Sequence, residues 1–227
     1  MNNDHQRETM NACVVAIILA VYAVYVIRLV VVLPWIGGRR VGHARGPLKL
    51  FVFLGSGGHT GEMLRILENY EATLLKGTLH IGYSDEVTRT KFEKFAKRYE
   101  IRAVYYQFKK AREVNANLVS SAKSIVATLY TSFMHVVRIR SAMAGAPHLV
   151  LLNGPGTCCV LALWFKVLEL VVLWQDSSNI VYVESLARIR SLSLTGKILY
   201  YLADLFVVQW ADLQQRYPRS KCYGILT

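Results

Sequence analysis

Gly55-Ser56-Gly57-Gly58-His59-Thr60-Gly61-Glu62-Met63 follows the apolar run Leu48–Leu54 and leads into an amphipathic stretch. Strand, glycine turn and helix together place backbone N–H groups and a helix N-terminus around a phosphate. Missing side chains let the backbone approach the anion and permit a turn with φ > 0. Gly55, Ser56, Gly57, Gly58 and Thr60 are therefore candidate phosphate-binding residues. A bare strand-to-helix turn with no ligand would use the same glycines. Thr60 stands where a dinucleotide fingerprint needs its third glycine, and no G-x-x-x-x-G-K-[ST] loop follows, so the turn names neither NAD nor ATP. His59, inside the turn, is the candidate general base or phosphate donor, although a lone histidine is more often structural. Glu62 is expected in the first turn of the helix, where a carboxylate complements the dipole as readily as it does chemistry.

The same logic recurs at Asn153-Gly154-Pro155-Gly156-Thr157, after the apolar run Leu149–Leu152. Asn153, Gly154, Gly156 and Thr157 join the candidate binding set. Glu184-Ser185 follows a third apolar run, Ile180–Val183, and Glu184 is a further candidate carboxylate, though a charge there also simply ends a strand. Polar or glycine-rich turns at three strand C-termini of one sheet face a common crevice. That convergence is more specific than any one turn.

The elements that must position these turns alternate. Strands are expected at Leu48–Leu54, Thr78–Tyr83, Arg102–Gln107, Leu149–Leu152, Asn179–Val183 and Leu205–Gln209. Helices are expected at Glu62–Lys76, Glu86–Arg98, Ala116–Ala144, Thr157–Leu173 and Leu192–Ala203. Such alternation implies βαβ units, and near-continuous apolar strands imply a parallel sheet covered on both faces. The expected class is α/β with a Rossmann-like parallel sheet. Lys166 and Glu169 interrupt the apolar stretch Cys158–Trp174, which reads as a buried or membrane-facing helix rather than a second span.

The first residues differ from the rest. Ala12–Leu33 is almost wholly apolar, with one charge at Arg28, and is long enough to cross a hydrocarbon core of ~30 Å. Arg28, near its end, is placed to snorkel to the headgroups. A cleaved signal peptide would need a shorter apolar core, a basic N-terminal flank and a small-residue cleavage site. Residues 1–11 carry Asp4, Arg7 and Glu8, whereas 36–49 carry Arg39, Arg40, Arg45 and Lys49 with no acid. The positive-inside rule then puts the C-terminal side in the cytoplasm. The expected divisions are a short lumenal N-terminus (1–11), a single-pass transmembrane anchor (12–35), a basic linker (36–47) and a cytosolic domain (48–227). Cys13, Cys158, Cys159 and Cys222 form no CxxC pair, which fits small apolar fillers in a reducing compartment. The formal net charge is +12, and nine Lys/Arg against two Glu lie between Val87 and Arg112. With an anchor present and no aromatic-interleaved nucleic-acid motif, that excess suits a membrane surface or a diphosphate, and no nucleic-acid partner is expected.

Gly55–Met63, Asn153–Cys158 and Tyr182-Val183-Glu184-Ser185, backed by Ser193–Leu199 and Val207–Trp210, resemble the membrane-anchored subunit of the eukaryotic two-subunit UDP-N-acetylglucosamine transferase. Arg112-Glu113-Val114 also resembles that family. The ordered motifs cover nearly the whole chain, anchor included. His148, where the family usually has an acid, and Asp176–Asn179, which replaces a more basic connection, are departures outside the motifs.

The resemblance implies the N-terminal, acceptor-binding half of a GT-B glycosyltransferase at the endoplasmic reticulum membrane, with its domain on the cytosolic face. It implies transfer of the second N-acetylglucosamine from UDP-N-acetylglucosamine to GlcNAc-diphosphodolichol, a step of protein N-glycosylation, with inversion to a β1,4 product. His59 would be the base, Arg112 would join the acceptor-binding residues, and no metal or bound cofactor is called for. A soluble donor-binding catalytic subunit would dock on the C-terminus, involving Tyr217, Tyr223, Gly224, Ile225 and Leu226. The preceding enzyme of the pathway is a further expected partner. The rival readings are a self-sufficient transferase, a non-catalytic membrane tether, and an anchored oxidoreductase with Asp85 as its ribose-binding acid. The 181 residues after position 46 supply one lobe where a GT-B site needs two.

Overall fold

The computed structural model describes residues 2–34, 48–75, 77–108, 118–172 and 177–226. The basic linker 36–47 and Arg112 lie outside the described residues. A long helix, α1 (Asn2–Val32), takes in both the short N-terminal segment and the apolar run that follows it. Met10–Val32 is, among the described residues, the one helix long and apolar enough to cross a membrane.

The domain is a seven-stranded, all-parallel sheet in the order β3-β2-β1-β4-β5-β6-β7. Its strands are β1 (Lys49–Leu54), β2 (Thr78–Tyr83), β3 (Arg102–Gln107), β4 (His148–Asn153), β5 (Asn179–Val183), β6 (Leu205–Val208) and β7 (Lys221–Cys222). The helices are α2 (Gly58–Asn69), α3 (Glu71–Leu74), α4 (Glu86–Arg98), α5 (Leu118–Met143), α6 (Thr157–Val171), α7 (Leu194–Leu202) and α8 (Ala211–Arg216). Side chains alternate across a strand, so β1 feeds two cores. Leu50, Val52 and Leu54 pack with Met63 and Leu67 of α2 and Phe92 of α4. Phe51 and Phe53 pack with Val136 of α5 and Phe165 of α6 on the opposite face. Burial on both faces is why the strands read as unbroken apolar runs.

Strand order reverses between β1 and β4, and both glycine turns leave the sheet there. Ligands of open α/β sheets bind at that switch point. The first turn is tighter than the sequence suggests. Gly57 takes φ 68°, which closes the turn, and α2 begins at Gly58 rather than Glu62. His59 therefore sits in the first turn of the helix, and Glu62 lies beyond it, away from the dipole position expected for it. α5 is continuous over its described length. The short α8 and the edge strand β7 had no clear signal in the sequence.

α6 is a core helix, with Cys158, Leu161, Phe165, Lys166 and Glu169 all buried. Arg28 does not simply snorkel. Its guanidinium donates to the carbonyls of Glu169 (2.8 and 3.1 Å) and Val172 (3.4 Å) at the end of α6.

Candidate functional site

The two turns interlock. A Cβ added to Gly55 would lie 2.8 Å from Pro155 Cδ and 2.9 Å from His59 Cβ. Gly154 has φ 105°, and a Cβ there would meet the His59 ring at 2.8 Å. These two glycines are required by the close approach of one turn to the other. Gly57, Gly58 and Gly156 instead face open space, so they form the edge that a ligand can approach. Ser56 is half-buried beside them.

Three of the residues expected to bind ligand hold the turns from within. Thr60 is buried, and its hydroxyl donates to the Gly55 carbonyl while meeting Thr88 Oγ1 at 3.2 Å. Thr157 is buried in the first turn of α6. Asn153 is fully buried and acts as a hub. Its Nδ2 donates to the Val183 carbonyl and to Glu62 Oε2, both at 3.0 Å. That leaves Oδ1 to accept from His59 Nδ1–H at 3.1 Å. The amide orientation thus assigns the proton to Nδ1 and leaves Nε2 as the basic nitrogen. Tyr182, buried beneath, donates its hydroxyl to the Gly154 carbonyl at 3.4 Å.

Glu62 supports the histidine electrostatically. Its Oε2 is 3.8 Å from His59 Nδ1, and its Oε1 accepts from Ser185 Oγ at 2.7 Å. The Glu62 carboxylate raises the His59 pKa above the ordinary 6.5, against partial burial, with Asn153 and Glu184 adding to the rise. For Glu62, burial pushes the pKa up, but the neighbouring His59 and the hydrogen bonds from Ser185 and Asn153 outweigh it and hold the net value below 4.5.

Glu184 is built differently. It is 1% exposed, and burial raises its pKa. Its Oε1 accepts from the Ser185 amide (3.2 Å), and its Oε2 from the Ser193 amide and hydroxyl (both 3.1 Å). Ser193 is also the N-cap of α7, accepting from Gly196 N at 2.8 Å. Gly196 lies directly against Glu184 Oε2, where a Cβ would collide with the carboxylate. Nothing in the strand-end reading pointed to Ser193 or Gly196. The available signal was the S-x-x-G cap spacing after Leu192.

Both walls border one pocket of about 400 Å³, lined by His59, Gly154, Pro155, Glu184, Ser185, Arg188, Ser193 and Thr195 among others. Arg188, exposed at its mouth, was also missed. The pocket therefore joins a histidine whose Nε2 is clear of the Asn153 hydrogen bond with a buried carboxylate, and the accessible Gly57-Gly58 edge lies on the same turn as that histidine. It can take a proton from a hydroxyl and hold a polar sugar beside a phosphate. Asp85, the acid an oxidoreductase would use on a ribose, instead caps α4 by accepting from Thr88 N at 2.8 Å. In the basic stretch, Arg89 pairs with Glu93 and Arg98 with Glu68, while Lys91, Lys94 and Lys97 are exposed.

The model of "Oligosaccharide biosynthesis protein Alg14 like" matches residues 50–226. The chain belongs to the Alg14-like family. It is 52% identical over 233 residues to the UDP-N-acetylglucosamine transferase subunit ALG14 of Saccharomyces cerevisiae, covering 95% of this chain and 98% of the yeast protein. It is 35% identical over 191 residues to the rat (Rattus norvegicus) protein of the same name, covering 79% of this chain and 83% of that one. Among solved structures it is similar to Acinetobacter baumannii MurG, with a TM-score of 0.47 at 12% identity, covering 72% of this chain and 41% of that one.

The residues of the Alg14-like chain expected to dock a partner divide into two groups. Tyr217 packs on Tyr200, with ring centroids 5.6 Å apart, and the half-buried Leu226 packs against the core cluster on the α2 face of the sheet. The Leu226 amide donates to Gln209 Oε1, and its carbonyl accepts from Asn69 Nδ2, both at 3.0 Å. Tyr223 (62% exposed), Gly224 and Ile225 (60% exposed) form the outward-facing part of the tail.

Proposed function

We propose that this chain is the membrane-anchored, acceptor-binding subunit of a β-1,4-N-acetylglucosaminyltransferase. The enzyme transfers the second N-acetylglucosamine from UDP-N-acetylglucosamine to GlcNAc-diphosphodolichol on the cytosolic face of the endoplasmic reticulum. The observation that carries the reading is the pocket at the switch point of the sheet, where His59 and Glu184 converge, with the open Gly57-Gly58 edge on the same turn as His59. Membership of the Alg14-like family supports the reaction class. The open amides of Gly57 and Gly58 receive the diphosphate, with α2 behind them. Glu184 holds the acceptor sugar. His59 Nε2 takes the proton from the acceptor 4-hydroxyl as its oxygen bonds to the anomeric carbon of the donor. The bond from that carbon to UDP breaks on the opposite face, which inverts the centre. A soluble partner supplies the donor-binding lobe and docks on the surface of Tyr223, Gly224 and Ile225.

Reconstitution in liposomes tests the proposal. Purified alone, the chain should transfer no sugar, and adding the soluble subunit co-purified from membranes should restore transfer. Robust activity of the isolated chain would overturn the half-enzyme reading. In sealed microsomes, added protease should digest the chain after Gly46. Protection there would reverse the orientation.

A further inference from the structure

Each of two helices receives a cation from the other at its C-terminal carbonyls. Arg28 of α1 donates to Glu169 and Val172 at the end of α6. Lys166 of α6 donates to the carbonyl of Val32, the last residue of α1, at 3.2 Å. The last carbonyls of a helix have no partner within it and carry the negative end of the dipole, so both cations are well placed. Lys166 is held in turn by Asp204 (2.8 and 3.0 Å) and Glu169 (3.4 Å), and the three side chains are between 0 and 4% exposed. Asp204 also accepts from the backbone of Ile180 at the start of β5. Val32 and Pro34 are buried against the domain, whereas most of α1 is exposed.

A helix serving as a loose tether has no use for a buried cation aimed at its last turn. Burying a charge is costly unless it is paired and hydrogen-bonded, so this cluster must form as a unit. α6 supplies the link to function. It starts at Thr157, directly after the Gly154-Pro155-Gly156 turn of the pocket, and ends at the anchor. Its 15 residues make a strut of ~22 Å.

We propose that the Arg28–Lys166 clasp locks the anchor to α6, so that α6 holds the acceptor pocket at a set height and orientation over the bilayer. Arg28 and Lys166 are then positioning residues for an acceptor whose diphosphate is confined to the membrane surface. The inference rests on the acceptor-binding role proposed above. Its specific consequence is that loosening the clasp impairs use of a membrane-held acceptor and spares one that diffuses freely to the pocket.

Arg28→Leu keeps the anchor apolar and leaves the Lys166 cluster intact, so the domain should fold. The reconstituted complex is assayed with two acceptors: a GlcNAc diphosphate on a long polyprenyl chain in liposomes, and one on a short, water-soluble chain. Arg28→Leu should raise KM about tenfold for the liposome acceptor and by less than about twofold for the soluble one. Arg28→Lys should recover part of the loss, because an ammonium still reaches a carbonyl. Hydrogen exchange gives a readout independent of activity. Amides 29–33 and 166–172 should exchange faster in Arg28→Leu, while β1, β4 and β5 keep their protection. Equal effects on both acceptors, or unchanged exchange at both helix ends, would overturn the clasp. A wild-type complex that used neither acceptor would overturn the proposed function, and the exchange data would still decide the clasp.

Discussion

The His59 wall and the Glu184 wall of the pocket hold their ionisable groups by opposite means. On the first wall, a half-exposed imidazole lies beside Glu62, and its pKa is raised by that carboxylate. Charge meets charge, and Asn153 sets the tautomer. On the second wall, no cation hydrogen-bonds the carboxylate among the described contacts. Glu184 relies on two backbone amides and a hydroxyl, with Gly196 packed against it. Burial dominates there and lifts the pKa. A group paired with an opposite charge tolerates water and can cycle its proton. A group held by neutral donors in a dry setting keeps its position and suits the orientation of a hydroxyl. Under the proposed function, proton transfer falls to His59 and positioning to Glu184.

The largest expected effect comes from the residue that joins the walls. Gly154→Ala forces a side chain into φ 105° and against the His59 ring. Backbone strain alone costs about 1–3 kcal/mol, and both walls should be displaced together. Activity should be lost and the thermal midpoint lowered. A variant with parental activity would show that the interlock is dispensable.

His59→Ala removes one wall's chemistry and leaves the fold. Loss of a positioned base typically lowers turnover by ~10²–10⁴. Acceptor KM and partner binding should change little. Turnover within a few-fold of the parent, measured on the folded complex, would leave the histidine as a packing residue.

Glu184→Gln is expected to cost less. It weakens hydrogen bonds to a charged acceptor, each worth about 1.5–3 kcal/mol, which corresponds to roughly 10- to 100-fold in kcat/KM. If Glu184 orients the acceptor, the loss should fall mainly on KM for the sugar. A loss confined to kcat, with a changed pH profile, would make it the base and invert the assignment.

Glu62→Gln should have the smallest effect and the clearest signature. A base works when neutral, so a raised His59 pKa puts the acid limb of kcat/KM above pH 6.5. Removing the main cause of the rise should shift that limb to lower pH. The rate at pH 7 should change by less than about tenfold. An unmoved limb would show that another group controls it.

The amino-acid sequence by itself determined the layout. Apolar runs such as Thr78–Tyr83 and Asn179–Val183 matched the observed strands, because a parallel strand buried on both faces leaves little room for polar residues. The two glycine turns, the apolar α1 and the position of His59 were legible for similarly local reasons. Only the tertiary structure decided what each of those residues does. Asn153 reads as a ligand-binding residue, and the structure gives it a buried network whose three partners come from one distant helix and one distant strand. Gly55 and Gly154 face the opposite turn, about 100 residues away in sequence, which leaves no room for a side chain at either. Arg28 and Lys166 looked like interruptions of apolar helices, and each meets the end of the other's helix. Periodicity reports which way a side chain faces along its own element. It carries no record of which element arrives opposite, and in this molecule that arrival sets the tautomer of His59, the burial of Glu184 and the seating of the end of α1 against α6.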